Sequence, residues 1–131
     1  ESLKRYFLSV YRNQAAALKK YADEETGLWH TVINDADTYL ELSASSGFLA
    51  GIMHGIRSGY LKMEEYQVVV DKALENLDSY IDADGTVLQV SYGTPIGLDE
   101  DFYKNIPCYP MTYGQAMMIL ALQEAMIYQP K

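Results

Sequence analysis

The stretch ETGLWHTVINDADTYLELSASSGF, residues 25–48, joins a long polar loop to the start of a helix rich in Ser, Ala and Gly. The loop opens with a turn at Gly27, places Trp29 beside His30, and reaches the acidic residue Glu41 just before the small residues begin. A glycine inside a helix costs about 1 kcal/mol relative to alanine, which suggests that close packing or a nearby ligand compensates for the glycines that follow. The stretch therefore predicts an inner, buried helix that is entered through a long loop.

Four helices are predicted along the chain. Apolar residues recur at three- and four-residue spacing over residues 3–21 and 64–80, which indicates two amphipathic, peripheral helices. Residues 43–60 and 112–128 are small or apolar on most sides, which predicts two inner helices. Residues 81–110 contain glycines and prolines that exclude a long helix, and only the segment TVLQVSY has the character of a strand.

This order of elements is a repeat: outer helix, long loop, inner helix, short link, and then the same three elements again. Residues 26–32 align with residues 84–90, and residues 45–47 align with residues 112–114 at the start of the next inner helix. Both long loops precede an inner helix, so both are expected at the same end of the array, where the N-terminal amides of the inner helices also point. A ligand site is predicted at that end.

Length and composition indicate one domain with a real core, because the chain has 131 residues and is 49% hydrophobic. The formal net charge is −8 and the basic residues do not cluster, so neither nucleic acid nor an anionic membrane is an expected partner. No apolar run approaches the ~20 residues that span a bilayer. The single cysteine, Cys108, lacks a CxxC or His-rich neighbourhood, so we expect no metal and no other cofactor.

Three segments together resemble the C-terminal part of glycoside hydrolase family 105: TGLWHTVINDADTYLELSASSGFLAGIMHGIRSGYL, DGTVLQVSYGTPIG and DFYKNIPCYPMTYGQAMMILALQEA. These enzymes are the unsaturated rhamnogalacturonyl hydrolases, related to the family 88 unsaturated glucuronyl hydrolases. The resemblance implies an all-α fold, an (α/α)6 barrel of twelve helices with the active site in its mouth. Residues 1–131 would be a single C-terminal segment that forms roughly the last third of that barrel.

The chemistry implied by the resemblance is the removal of a 4,5-unsaturated uronic acid from pectin-derived rhamnogalacturonan oligosaccharides. The enzyme hydrates the C4=C5 double bond, and the resulting hemiketal opens by itself. An aspartate acts as general acid and base, and residues 1–131 contain no counterpart of it, so the catalytic residue is unassigned and is expected upstream. The alternative is a catalytically inactive α/α fragment with a glycan-binding or structural role.

The start of the chain also carries an expectation. There is no initiator methionine, and the sequence leads directly into a helical pattern, so we expect a fragment or a processed product. Its inner helices would then expose apolar surface, which predicts self-association or pairing with the missing N-terminal part. We expect a bacterial cytoplasmic protein, with the periplasm as the alternative compartment.

Seven residues near the two loops are predicted to bind an oligosaccharide: Trp29, His30, Glu41, Ser43, Thr94, Tyr113 and Gln115. The Trp29 indole offers a flat apolar face on which a sugar ring can stack, and His30 can donate a hydrogen bond to a hydroxyl or a carboxylate. The alternative is that Trp29 plugs the end of the barrel and His30 caps a loop carbonyl.

The other five residues lie at the predicted starts of the inner helices. Glu41 either orients a sugar hydroxyl or a water molecule, or satisfies the first-turn amides, and Ser43 is a plausible N-cap of the same helix. Thr94, Tyr113 and Gln115 lie beside the second inner-helix start, where a carboxylate ligand would meet free amides. The alternative for this second group is a Gly–Gln turn with the tyrosine packed against the loop.

Overall fold

Residues 1–128 are described in a computed structural model of the chain. The elements are α1 (Ser2–Tyr21), α2 (Leu42–Arg57), α3 (Met63–Leu77) with a following 3-10 turn (Asp78–Tyr80), α4 (Glu100–Lys104) and α5 (Thr112–Ile127). The four predicted helices are confirmed, and the described residues contain only isolated β-bridges, such as His30 with Leu40. The all-α prediction therefore holds. None of these helices has the length and apolar character needed to cross a bilayer.

The centre of the molecule is the contact between α2 and α5, which pack side by side. Small residues of α2 allow this approach: a side chain added at Gly47 would already touch the Met117 sulfur at 3.4 Å. Leu49, Ile52 and Met53 of α2 and Met118 of α5 are almost completely buried in the same core. Close packing compensates for the low helix propensity of α2, as the sequence suggested.

Helix α1 lies on the outer side of α2. Its Tyr11 hydroxyl donates a 2.8 Å hydrogen bond to the Gly51 carbonyl, in the middle of α2. A Cβ atom at Gly55 would lie 1.8 Å from the same hydroxyl, so only glycine leaves room for Tyr11 at this crossing. Tyr11, inserted between two glycines, is therefore one of the contacts that position α1.

Helix α3 covers the first long loop. Gly27 has φ of +72°, and a Cβ atom there would lie 2.8 Å from the Ala73 backbone nitrogen, so the turn fits against α3 only without a side chain. The turn is closed by Asp23, whose Oδ1 accepts from the backbone nitrogen of Thr26 at 2.8 Å. This arrangement fixes where the Trp–His pair enters the core.

Two helix faces remain uncovered by the described residues. The first half of α1 and one side of α5 expose large apolar side chains: Leu3, Tyr6, Phe7, Val10, Ile119, Leu120, Met126 and Ile127. The sequence predicts α5 as an inner helix because it is apolar on most sides, but α2 and the loops cover only part of it. These faces are where further structure would pack.

Four details of the sequence interpretation need correction. The segment TVLQVSY forms no strand, because Gln89 adopts a φ of +56° and interrupts the extended backbone. Helix α4 was not predicted; it begins after Asp99, whose carboxylate accepts from the Phe102 nitrogen at 3.0 Å. His54 lies in the helix that the sequence predicts to be inner and buried, but its side chain is exposed and its Nδ1 lies 3.1 Å from the Glu124 carboxylate. The N-cap of α2 is Glu41 rather than Ser43.

Candidate functional site

A cavity of about 420 Å³ lies where α2 and α5 begin. The two long loops meet there, as the repeat predicts. The cavity is lined by His30, Thr31, Ile33, Glu41, Ser43, Ala44, Phe48, Ser91, Gly93, Thr94 and Tyr113. Both inner helices therefore present their N-terminal ends to one concave surface, which is the usual form of a small-molecule site.

Five of the seven residues predicted to bind substrate line this cavity: His30, Glu41, Ser43, Thr94 and Tyr113. They are separated by up to 83 positions in the chain, and only the packing of α2 against α5 brings them together. Their grouping gives the predicted site a physical location. Their contact with a substrate remains a prediction.

Trp29 is placed elsewhere and its interpretation is corrected. Its side chain is fully buried, and the indole nitrogen donates a 2.8 Å hydrogen bond to the Leu18 carbonyl at the end of α1. The ring packs edge-on against Phe48, with 5.6 Å between centroids. No face of Trp29 is open to a sugar, so it acts as a core residue that supports Phe48, which itself lines the cavity.

Gln115 also lies outside the cavity. Its amide oxygen accepts from the Val87 backbone nitrogen at 3.2 Å, and its amide nitrogen donates to the Gly85 carbonyl at 2.9 Å. Gln115 thus holds the second long loop against the start of α5. Both ends of the Gln115 amide are therefore occupied by the backbone of the loop.

The contacts of Gln115 reveal the register of the repeat. Ser45 accepts from the Trp29 nitrogen at 2.9 Å in the first half of the chain, just as Gln115 accepts from the Val87 nitrogen in the second half. Trp29 and Val87 occupy equivalent positions in the sequence alignment of the loops, whereas Ser45 was aligned with Thr112. The equivalent of Ser45 is Gln115, because each is the fourth residue of its helix.

Glu41 is buried, with 5% of its surface exposed. One carboxylate oxygen accepts from the Ala44 nitrogen at 2.6 Å, and the other accepts from the Ser91 nitrogen at 3.0 Å. The Ser43 hydroxyl lies 2.9 Å from both oxygens and donates to them. Glu41 therefore caps α2 and anchors the second loop, and its lone pairs are occupied by donors of the protein itself.

This arrangement fixes the direction of the hydrogen bond that Ser43 can form with a ligand. Its one hydroxyl proton is directed at Glu41, so the lone pairs of its Oγ are the groups left for a ligand in the cavity. A sugar hydroxyl would have to donate to Ser43 rather than accept from it.

His30 is held on both sides of its ring. Nδ1 lies 2.5 Å from the Thr38 carbonyl oxygen, which can only accept, so this nitrogen is assigned the proton. Nε2 lies 3.4 Å from the Asp23 carboxylate. Burial raises the pKa of Asp23, but hydrogen bonds from Thr26 and the neighbouring His30 outweigh burial and hold that pKa below its ordinary value. The contact of His30 with a loop carbonyl, the alternative to a substrate contact, is thus present.

The two long loops are also joined at the rim. Lys104 of α4 lies 2.7 Å from the Asp35 carboxylate, and the hydrogen bond from Lys104 holds the pKa of Asp35 below its ordinary value. Closer to the cavity, the Tyr39 hydroxyl and the Ser91 hydroxyl lie 2.9 Å apart. The first and second loops therefore form one continuous wall.

Several lining residues were missed by the sequence interpretation: Thr31, Ile33, Ala44, Phe48, Ser91 and Gly93. Phe48 had a usable signal, since it lies four residues after Ala44 and so shares a helix face with it. Ser91 had none, because its role depends on backbone contacts between the loops. Among the lining residues none is Lys or Arg, and the described part of the chain holds no cluster of metal-binding side chains.

A family model described as Glycosyl Hydrolase Family 88 matches residues 1–129, which is nearly the whole chain. This chain belongs to Glycosyl Hydrolase Family 88. Its resemblance to this group of enzymes, first seen in three sequence segments, is thereby confirmed.

Relatives with solved or curated descriptions agree with this family. The chain is 35% identical over 116 residues to the unsaturated rhamnogalacturonyl hydrolase YesR of Bacillus subtilis (strain 168), a match that covers 88% of this chain and 31% of YesR. A crystal structure of a possible member of the GH105 family from Salmonella enterica is 42% identical, with a TM-score of 0.90 over 97% of this chain and 33% of that one.

A similar structure from Klebsiella pneumoniae, also described as a possible GH105 member, gives 42% identity and a TM-score of 0.89. A glycosyl hydrolase family 88 structure from Bacteroides vulgatus, at 20% identity and a TM-score of 0.78, shows the shared fold alone. The present chain spans about a third of the length of each of these relatives. The helices described above are therefore part of the (α/α)6 barrel of this family.

Proposed function

We propose that the gene product containing this chain removes a 4,5-unsaturated uronic acid from the end of pectin-derived rhamnogalacturonan oligosaccharides. The observation that carries the proposal is the match to Family 88 over residues 1–129, together with the relationship to a curated unsaturated rhamnogalacturonyl hydrolase. The cavity at the helix starts supports it, because it combines hydroxyl groups with an aromatic and an aliphatic wall residue.

The reaction proposed for this site adds water across the C4=C5 double bond. A proton is added to C4 and a hydroxyl group to C5, and the hemiketal so formed opens with release of the remaining oligosaccharide. Glu41 is the only carboxylate on the described cavity wall, and its oxygens already accept from Ser43, Ala44 and Ser91. The general acid and base is therefore assigned to the part of the enzyme outside residues 1–131.

The part played by this chain is a wall that binds neutral sugar groups. The lining residues include the hydroxyls of Thr31, Ser43 and Thr94 and the apolar side chains of Ile33 and Phe48. None of the lining residues is Lys or Arg, so the uronate carboxylate is assigned to other parts of the barrel.

Hydrolysis of an unsaturated rhamnogalacturonan disaccharide tests this function. The full-length gene product containing this chain should abolish the ultraviolet absorbance of the conjugated enol ether acid, because hydration removes the double bond. The saturated disaccharide serves as the matched control and should remain intact. Stable absorbance with an enzyme that is folded and pure would refute the proposed activity.

A second candidate function is glycan binding without hydrolysis. It applies if the gene product has no general acid outside residues 1–131, because the Glu41 oxygens already accept hydrogen bonds from Ser43, Ala44 and Ser91. Calorimetric titration with the same disaccharide separates the two. Binding without loss of absorbance supports the second candidate, whereas binding followed by loss of absorbance supports the first.

The uncovered apolar faces of α1 and α5 indicate what this chain packs against. We assign them to contacts with the remaining barrel hairpins, since the chain spans about a third of its relatives. Residues 1–131 produced alone should therefore self-associate through these faces, which light scattering after size exclusion can measure. A strictly monomeric and highly soluble species would contradict this assignment.

A further inference from the structure

The segment of residues 91–94 forms one side of the cavity and is held at several points. Ser91, Gly93 and Thr94 all line the cavity, and Ser91 is 4% exposed. The backbone nitrogen of Ser91 donates to Glu41 at 3.0 Å, and the Ser91 hydroxyl contacts Tyr39. The first loop and the start of α2 thus fasten the beginning of this segment.

The start of α5 fastens the same segment from the other side. The Tyr113 hydroxyl donates to the Ser91 carbonyl and accepts from the Gly93 backbone nitrogen at 2.9 Å. A phenol hydroxyl has one proton, so the donor capacity of Tyr113 is fully used by the protein. Tyr113 is therefore poorly suited to donate to a sugar, although its ring lies on the cavity wall.

The backbone beyond this clamp has little freedom. Gly93 adopts a φ of +70°, a conformation that other residues rarely take. Thr94 precedes Pro95, and the proline ring restricts the residue before it to extended conformations. Tyr113 fixes Ser91 and Gly93, so the backbone of Thr94 is confined to an extended conformation directly beside that clamp. None of the hydrogen bonds found among the described residues involves the Thr94 hydroxyl, so this exposed group is available at the cavity.

We propose that Tyr113 is a positioning residue that acts through Thr94, and that Thr94 makes the sugar contact. This inference rests on the proposed function and names the wall residue that would recognise a neutral hydroxyl of the substrate. Ser43 complements Thr94 across the cavity, since Ser43 is restricted to accepting a hydrogen bond whereas Thr94 can donate one.

A double-mutant cycle in the full-length gene product tests this inference. Thr94→Val removes the hydroxyl but keeps the shape, and Tyr113→Phe removes the clamp but keeps the ring. Each should raise KM for the unsaturated disaccharide about 3- to 10-fold with little change in kcat, the effect expected for one lost hydrogen bond. The double variant should match Thr94→Val alone, because Tyr113 acts only through Thr94.

Hydrogen exchange at the Gly93 amide gives a second readout. The exchange rate should rise in Tyr113→Phe, which removes one of the two acceptors of this amide and leaves only the Ser91 carbonyl at 2.9 Å, and should stay unchanged in Thr94→Val. Tyr109→Phe is the matched control, because Tyr109 is exposed on the neighbouring loop and does not line the cavity. It should leave both KM and the exchange rate unchanged.

The outcomes are distinguishable. Multiplicative KM effects in the double variant would show direct contact of Tyr113 with the sugar and overturn the inference. An unchanged KM in either single variant would overturn it as well. A folded wild-type protein that neither binds nor hydrolyses the disaccharide would refute the proposed function, and with it the inference that depends on that function.

Discussion

Replacement of Glu41 tests whether its carboxylate has a structural or a catalytic role. The side chain is 5% exposed and holds the Ala44 nitrogen at 2.6 Å and the Ser91 nitrogen at 3.0 Å. Loss of a helix N-cap costs about 1 kcal/mol. A buried N–H group left without an acceptor costs about 1–3 kcal/mol. For Glu41→Ala we therefore expect the free energy of unfolding to fall by about 2–4 kcal/mol.

Glu41→Gln refines the test, because it preserves size and shape. The glutamine side chain has only one acceptor oxygen, so its NH2 group must face the nitrogen of either Ala44 or Ser91, and one of those donors loses its partner. The expected loss is about 1–3 kcal/mol. Urea unfolding followed by helical circular dichroism measures both variants. Glu25→Ala, an exposed change in the same loop region, is the control and should stay within about 0.5 kcal/mol of the native protein.

A Glu41→Gln protein that is as stable as the native one would refute this reasoning. If such a protein also lost activity, Glu41 would be a group that acts on the substrate. The assignment of the acid to another part of the barrel would then be wrong.

Three further predictions concern packing and charge. Gly55→Ala places a carbon 1.8 Å from the Tyr11 hydroxyl and should lower the free energy of unfolding by about 1–3 kcal/mol. Gly51→Ala adds a carbon in open space and should raise the free energy of unfolding by up to about 1 kcal/mol. Equal effects of the two variants in urea titration would contradict the packing argument. The Arg57 guanidinium lowers the pKa of Glu124 from 4.5 to about 2, so the stability from this pair is complete above pH 4.5 and is lost as the pH falls toward 2. Glu124→Gln should therefore flatten the acid side of the pH–stability profile, and an unchanged slope would count against the pair. Trp29→Phe should lower stability, because it loses a hydrogen bond in the core, and should leave KM within about twofold, because Trp29 does not line the cavity. A large rise in KM at unchanged stability would restore a sugar-stacking role.

The helices could be predicted from the sequence because their periodicity is strong. The small residues of α2 also indicated a closely packed helix, and α2 packs against α5. Helix α4 has only five residues, too few for a periodic signal, although the Asp99 cap followed by Phe102 was a local indication. The positive φ of Gln89 has no sequence signature, and it explains why the predicted strand is absent.

The sequence predicted the location of the candidate site better than the roles of the residues in it. The repeat placed both loops at one end, which brought His30, Ser43 and Thr94 together. Tryptophan suits a sugar platform and a core equally well, and only its burial beneath Phe48 decides between these roles for Trp29. The clamp on residues 91–94 depends on backbone atoms of distant loops, so side-chain patterns carry no information about it.

Ser45 and Gln115 are matching anchors of the two long loops. Each fastens the entry of a long loop to the fourth residue of the helix that follows, independently of what lies between. Within the second loop, residues 93–106 lie between two backbone hydrogen bonds, from the Tyr92 nitrogen to the Pro107 carbonyl at 2.8 Å and from the Tyr109 nitrogen to the Val90 carbonyl at 2.9 Å. The entropic cost of lengthening such a segment grows slowly. This part of the loop can therefore be exchanged while the hairpins beneath stay the same, and a graft of residues 92–110 from another family member would test whether the folded hairpins tolerate it.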